Sequence, residues 1–317
     1  MADHRLLRPE SWYALVCRPA LPKDTADVLA LTWEIWEGHD YVPYVWEEWL
    51  DDPDGLLAVA EYSGVVVGLG KLSRLAEGQW WLEGLRVNPD YQGRGIASRL
   101  HDYQVAQWQK FGGGALRLAT ASFRQPVQHL CERTGFEQVA EFTAYHSEPI
   151  PGGFAAGAGL FTPVSTNEVT VALEFARRAP PLTLSAGLMD LGWQWAAPSV
   201  ELLGAAVERG QAWWWGLNPK EEKRGLLLIN TYEGDEEDDW QGTRARAELL
   251  ACRLDELVAV LVDYRRLAAR LGVDRADWMA PLHPNLAPRL EAAGFSRDWE
   301  HSLYLYAREG PGETAMV

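Results

Sequence analysis

Residues 85–97 read Leu85-Arg86-Val87-Asn88-Pro89-Asp90-Tyr91-Gln92-Gly93-Arg94-Gly95-Ile96-Ala97. An apolar run ends at Pro89, a tight turn carrying Gly93 and Gly95 follows, and a helix then begins. Two glycines at that spacing let several backbone N–H groups converge without a Cβ in the way. They do so at the positive end of the helix dipole. The result is an anion-binding nest suited to phosphate.

Other phosphate loops fit less well. A P-loop needs Gly-Lys-Ser/Thr entering the helix, whereas Ile96-Ala97 follow Gly95 here. A dinucleotide fingerprint needs a preceding parallel strand and an acidic residue about 20 positions on. The runs before this turn, Leu56–Tyr62, Val65–Leu72 and Gln79–Val87, read instead as an antiparallel meander, with Ser63-Gly64 as a hairpin turn. The order Gln92-x-x-Gly95-x-Ala97 after Val87-x-Pro89, with Gly135-Phe136 closing a later helix, resembles the pyrophosphate-binding signature of the GNAT superfamily of N-acyltransferases. That resemblance covers about Tyr13 to His146.

It implies acetyl-coenzyme A as the ligand, held in a gap where the central strand splays from its neighbour. Backbone groups of Leu85 and Val87, flanking Arg86, would hold the pantetheine arm. The amides of Gln92, Gly93, Arg94, Gly95, Ile96 and Ala97, with Ser98 in the first helical turn, would surround the pyrophosphate, and Arg94 would add charge. Family members offer an Asn at the start of the short helix after the next strand; Arg124 stands there in this chain. Many use a base at the position of Glu83, a charged residue inside the bulky run Gln79-Trp80-Trp81-Leu82-Glu83. An alkyl ammonium must lose a proton before it attacks a thioester, so a carboxylate there has a use. Glu83 reads equally as a buried structural residue. The usual general acid is a Tyr; Cys131 takes its place, and a lone Cys reads either as a proton donor or as a small core residue. His129, His101 and Tyr91 are fallbacks.

The second half partly repeats the first. Thr134-Gly135-Phe136 matches Ala293-Gly294-Phe295 at an offset of 159 residues, and the same offset carries Gly113 onto Gly272. Two matches in register suggest a duplicated domain. Gly93-Arg94-Gly95 maps onto Cys252-Arg253-Leu254, so the nest is lost in the copy. The expected fold class is α/β (α+β): two tandem GNAT-like domains, each a mixed, mostly antiparallel sheet flanked by helices. The expected boundaries are 1–148 for the acyl-coenzyme A-binding domain, 149–158 for a linker, 159–308 for the degenerate copy and 309–317 for a flexible tail.

The 317 residues are ample for two cores. A net charge of −16, shared evenly by the halves, argues against nucleic acid or an anionic membrane surface as partner. Three cysteines without a CxxC pair form neither a disulfide framework nor a metal site. With no apolar h-region near Met1 and no long apolar run, a soluble cytoplasmic protein is expected. Trp33, Trp36, His39, Tyr41, Tyr44, Trp46 and Trp49 crowd a segment that also holds Glu34, Glu37, Asp40, Glu47 and Glu48. It reads either as packing of two amphipathic helices or as a roof attractive to an ammonium-bearing acceptor. Trp213-Trp214-Trp215 reads as a strand with inter-domain packing, and Asp235–Asp239 as a solvated loop. The sequence thus points to an N-acetyltransferase acting on a small-molecule or peptide amine, as a monomer or homodimer. A coenzyme A-binding sensor or scaffold without turnover is the alternative.

Overall fold

The computed structural model describes residues 15–33, 35, 39–152, 160–216, 223–234 and 242–310. The start of the chain, Glu34, Trp36, Glu37, most of the expected linker, the acidic run 235–239 and the final residues lie outside them. Two compact units emerge, and each draws on separate stretches of chain. The first comprises residues 1–118, 130–136 and 307–317; the second comprises 119–129 and 137–306.

In the first unit, β1 (Leu15–Pro19), β2 (Leu56–Tyr62), β3 (Val65–Ala76), β4 (Gln79–Val87) and β5 (Ala115–Ala121, the unit taking its first four residues) lie side by side in that order. All neighbours are antiparallel except β4 and β5, which are parallel. Ser63 and Gly64 hold positive φ angles of 52° and 87°, the hairpin turn their sequence foretells. Strand alternation sends one set of side chains to α1 (Thr25–Thr32) and α2 (Val42–Asp51), where Val28, Leu31, Trp46, Trp49, Val59 and Leu69 form a core. The other set meets α3 (Ile96–Lys110), where Ala58, Ala60, Val67, Ile96 and Leu100 pack. The buried stripe of α3 continues through Gln104 and Trp108, whereas Tyr103 is half-buried and Phe111 is exposed, its ring stacked on Trp80 at 5.4 Å. After α4 (Gln125–Arg133), Gly135 turns the chain back.

The second unit carries β6 (Glu137–Ser147), β7 (Leu160–Pro163), α5 (Val169–Arg178), α6 (Pro180–Leu184), β8 (Met189–Asp190), β9 (Trp195–Ala196), α7 (Val200–Glu208) and β10 (Ala212–Gly216). Then come β11 (Gly225–Glu233), β12 (Thr243–Cys252), α8 (Leu257–Leu271), β13 (Arg275–Pro281), α9 (Ala287–Ala292), β14 (Ser296–Arg297) and β15 (Leu303–Glu309). Its strands run β6-β13-β12-β11-β10-β7, with β12 and β13 parallel. Trp214 and Trp215 point to opposite faces of β10, into separate cores of this one unit. The expected inter-domain role of this Trp triplet is therefore replaced by packing within the unit, because neighbouring strand residues alternate in direction.

The repeat is visible atom by atom. Gly135 and Gly294 adopt φ of 78° and 82°. Phe136 N donates to Cys131 O at 3.0 Å, and Phe295 N to Leu290 O at 2.9 Å. Both phenylalanines are buried. Among the described residues no helix is long and apolar enough to cross a membrane, and no group of three or more His, Cys, Asp or Glu could hold a metal.

Candidate active site

Strand β4 is bent by a bulge. Its register against β3 runs Leu82 to Leu72 and Glu83 to Lys71, then resumes at Arg86 to Leu69, so Gly84 and Leu85 oppose Gly70 alone. Gly84 has φ +65°, and a Cβ there would meet the Trp49 ring at 2.6 Å, so only glycine fits. On the other side, β4 pairs with β5 only from Gln79/Ala115 to Trp81/Arg117. Beyond Trp81 the two parallel strands part, leaving backbone groups of β4 without that ladder. The bulge also sets direction: Glu83 and Arg86 face α2, while Leu85 and Val87 pack towards Ile96 and Leu100 of α3.

Past Val87 the chain makes a single helical turn over Pro89–Tyr91, where the Asn88 side chain accepts from Asp90 N at 2.9 Å. Gln92 Nε2 donates back to Val87 O at 3.2 Å, fastening the turn to the strand end. Gly93 (φ +71°) and Gly95 (φ +78°) are left-handed, and Gly95 is the N-cap of α3. Nothing lies within 4 Å of where a Gly93 Cβ would be, so the concavity opens outwards. The first N–H groups of an α-helix have no intrahelical acceptor, so those of Ile96, Ala97 and Ser98 are available here. The Arg94 guanidinium sits 5.1 Å from the Tyr91 ring centroid. A pyrophosphate fits this site by donor chemistry and charge.

Glu83 is half-buried, and Ser73 Oγ donates to its Oε1 at 2.5 Å. Its cross-strand neighbour, Lys71, is buried and paired with Asp52. The Arg86 guanidinium is held bidentately by buried Asp40 at 2.9 and 3.0 Å and lies over the Tyr41 ring. Only its backbone remains for a cofactor. Burial pushes the Tyr41 hydroxyl up to about 12, against the lowering charge of Arg86. The aromatic segment itself divides: Trp46 and Trp49 are core, whereas Trp33 and Tyr44 are 79% and 74% exposed.

Cys131 is fully buried, and burial pushes its thiol up to about 12. Its counterpart in the second repeat is Leu290, also fully buried, so the position is one of packing. A thiol with no exposed surface and so high a pKa is a poor proton donor at neutral pH. Arg124 and His129 are exposed at the start and middle of α4 and count with the second unit; Leu130 and Cys131 count with the first. His101 is buried, with Nε2 2.9 Å from Thr134 Oγ1, and burial pulls its pKa down to about 4. It is a core histidine.

Ser73 and Lys71 were not singled out from the sequence, and Asp40 only as one carboxylate of the aromatic segment. Gly84 was the legible signal, because an isolated glycine inside a strand marks a bulge. The second repeat keeps a similar splay, with β12–β13 pairing ending at Ala247/Trp278. It lacks the nest: Arg253 is spent on Asp255, and Leu254 packs against the apolar core.

Comparison with known proteins bears on this geometry. The model of the acetyltransferase (GNAT) family matches residues 24–136. The chain is 27% identical over 209 residues to human probable N-acetyltransferase 16, covering 61% of this chain and 57% of that protein. It is 32% identical over 87 residues to histidine N-acetyltransferase of Xenopus tropicalis, covering 27% of each. It thus spans little more than half the length of the first and about a quarter of the second. A tandem GNAT protein from the clavulanic acid biosynthesis pathway superposes with a TM-score of 0.56 at 13% identity, covering 94% of this chain and all of that one. At that identity the likeness is one of fold.

Proposed function

We propose, from the match of residues 24–136 to the GNAT acetyltransferase family, that the chain is an acyl-coenzyme A-dependent N-acyltransferase. It moves acetyl from acetyl-coenzyme A to a primary amine by direct attack in a ternary complex. The supporting observation is the left-handed Gly93/Gly95 turn at the N-terminus of α3, set at the end of a bulged strand that has parted from its parallel neighbour. In this reading residues 1–148 hold the site and residues 159–308 are a copy without a nest.

The thioester supplies an electrophilic carbonyl. The amides of Gly93 to Ser98, with Arg94, hold the pyrophosphate, and the edge of β4 that has parted from β5, at Leu85 and Val87, takes the pantetheine amides. Glu83 accepts the proton of the incoming ammonium, directly or through a water, and Ser73 fixes the orientation of its carboxylate. The amine nitrogen forms the new C–N bond, the C–S bond breaks, and the thiolate leaves with a proton released by the attacking nitrogen. Cys131 takes no part. The acceptor is a small amine, in keeping with the name of the Xenopus relative, and Asp40, Tyr41 and Arg86 beside Glu83 shape its approach.

Burial of Cys131 also favours a second reading, in which the chain binds coenzyme A without turnover. Release of free thiol on incubation with acetyl-coenzyme A and a panel of amines decides between them. Amine-dependent thiol release supports transfer. Binding without release, across a panel that includes histidine and peptide N-termini, supports the sensor.

A further inference from the structure

The second repeat lost the glycine turn yet kept an opening at its splayed strands. Glu248 is the extra residue of a bulge in β12, between Leu249 opposite Leu228 and Ala247 opposite Ile229. It lines a small cavity together with Phe142, Ser185, Asp190, Trp195 and Trp278. The cavity is open to solvent. It has room for about one water-sized group.

The polar groups around it are unequally served. Asp190 Oδ1 accepts from Gly192 N at 2.9 Å and Trp193 N at 2.8 Å, and its Oδ2 lies 3.8 Å from Arg246 Nε. Ser185 donates to Pro181 O at 3.0 Å. Glu248 is 7% exposed, and among the described residues its carboxyl has no hydrogen-bond or ion-pair partner. Its oxygens keep contact with solvent through the opening, so a donor entering the cavity can reach them. The charged groups that act on Glu248 are Asp190, Arg246 and Arg209. Burial pushes Glu248 up to about 7, with Arg246 and Arg209 pulling it down and Asp190 adding to the rise.

We propose that this cavity binds one small protonated amine, its ammonium group held by Glu248 at a wall formed by Trp278 and the mutually packed rings of Phe142 and Trp195. The N–H donors of an ammonium supply what Glu248 lacks. Aromatic walls favour an organic cation, which gains from ring faces what a metal ion would lose in oxygen ligands. No cluster of three or more metal-ligating side chains occurs among the described residues. A coenzyme A phosphate is excluded by the lost nest, so the copy binds an amine without activating it. This site is independent of acetyl transfer in the first repeat.

The test is thermal melting of the full chain in methylammonium, sodium and tetramethylammonium chlorides at equal ionic strength, without coenzyme A. Methylammonium should raise the melting temperature over sodium by roughly 2–4 °C at about ten times its Kd. Glu248→Gln should abolish that rise, and Glu83→Gln should keep it, which separates this cavity from an acceptor site in the first repeat. An equal rise in Glu248→Gln, or its loss in Glu83→Gln alone, would overturn the proposal. Should Glu248→Gln fail to fold, the wild type decides: tetramethylammonium is too wide for the cavity and has no N–H, so it should match sodium. A rise equal to that with methylammonium, or none with methylammonium, also defeats the site.

Discussion

Ser73 and Glu83 sit diagonally across the β3–β4 ladder, and the Ser73 hydroxyl donates to the Glu83 carboxylate at 2.5 Å. Diagonal neighbours on one sheet face are within reach of such contacts. The proposed base is therefore aimed by a strand that does not belong to the phosphate turn, which lets the two functions be separated by mutation.

Glu83→Gln keeps shape and hydrogen bonding but removes proton acceptance. Turnover should fall about 10²–10⁴-fold, with coenzyme A affinity little changed, and recover as pH approaches the pKa of the amine. Ser73→Ala leaves the carboxylate but frees its orientation, so kcat should drop by only about tenfold, the scale of one charge-assisted hydrogen bond. Equal losses in the two variants, or a Glu83→Gln enzyme with wild-type turnover and pH profile, would refute the assignment.

Gly95→Val places a β-branched residue at φ +78° on the N-cap of α3. The turn must then distort at a strain of about 1–3 kcal/mol, and its amides no longer converge. Coenzyme A binding measured by calorimetry should fall by tenfold or more while the circular dichroism spectrum is retained.

Leu254 stands where Gly95 stands in the first repeat, so the chain should bind one coenzyme A. A calorimetric stoichiometry near two would show that the copy is not degenerate.

His101 is buried and held neutral, its pKa lowered to about 4 in the folded chain against an ordinary value of 6.5. Between those values the unfolded chain binds the extra proton, so folding stability is intact above pH 6.5 and is lost as pH falls towards 4. The loss amounts to ~3 kcal/mol. His101→Gln, able to donate to Thr134, should flatten that part of a urea-unfolding series against pH.

Glu248 carries the opposite sign. Its folded pKa is raised to about 7 by burial, so the folded chain holds a proton that the unfolded chain gives up above about 4.5. Stability contributed by the neutral carboxyl is full below pH 4.5 and declines as pH rises to 7, by ~3 kcal/mol at most. Without amine, Glu248→Gln should match the wild type near pH 4.5 and exceed it at pH 8, as read by chemical denaturation.

The meander, the glycine turn and the 159-residue repeat were legible because each rests on local chemistry: hairpin residues, glycines at positive φ, and a Gly-Phe helix end. What was not legible depends on partners distant in sequence. The bidentate hold of Asp40 on Arg86 spans 46 residues, and nothing near Arg86 announces that its guanidinium faces α2 rather than the phosphate turn. Whether Cys131 is exposed was likewise beyond reach, since a short amphipathic helix does not reveal how deeply its inner face is covered. Tyr103 and Phe111 fit the apolar spacing of α3, yet the stripe that is buried includes Gln104, which spacing places on that face and polarity would turn to solvent.

The first compact unit reaches back to the end of the chain for residues 307–310, and Gly310 N donates to Gly114 O at 2.7 Å within it. During translation, β5 emerges some 190 residues before that segment does. At ribosomal speeds of about 5–20 residues per second, roughly 10–40 s separate the two. For that interval the nascent unit exposes the edge of β5, a template for stray strand pairing. A chain of this design completes its first unit only once residues 307–310 have been made, so a product cut anywhere before them lacks even the N-terminal fold in finished form.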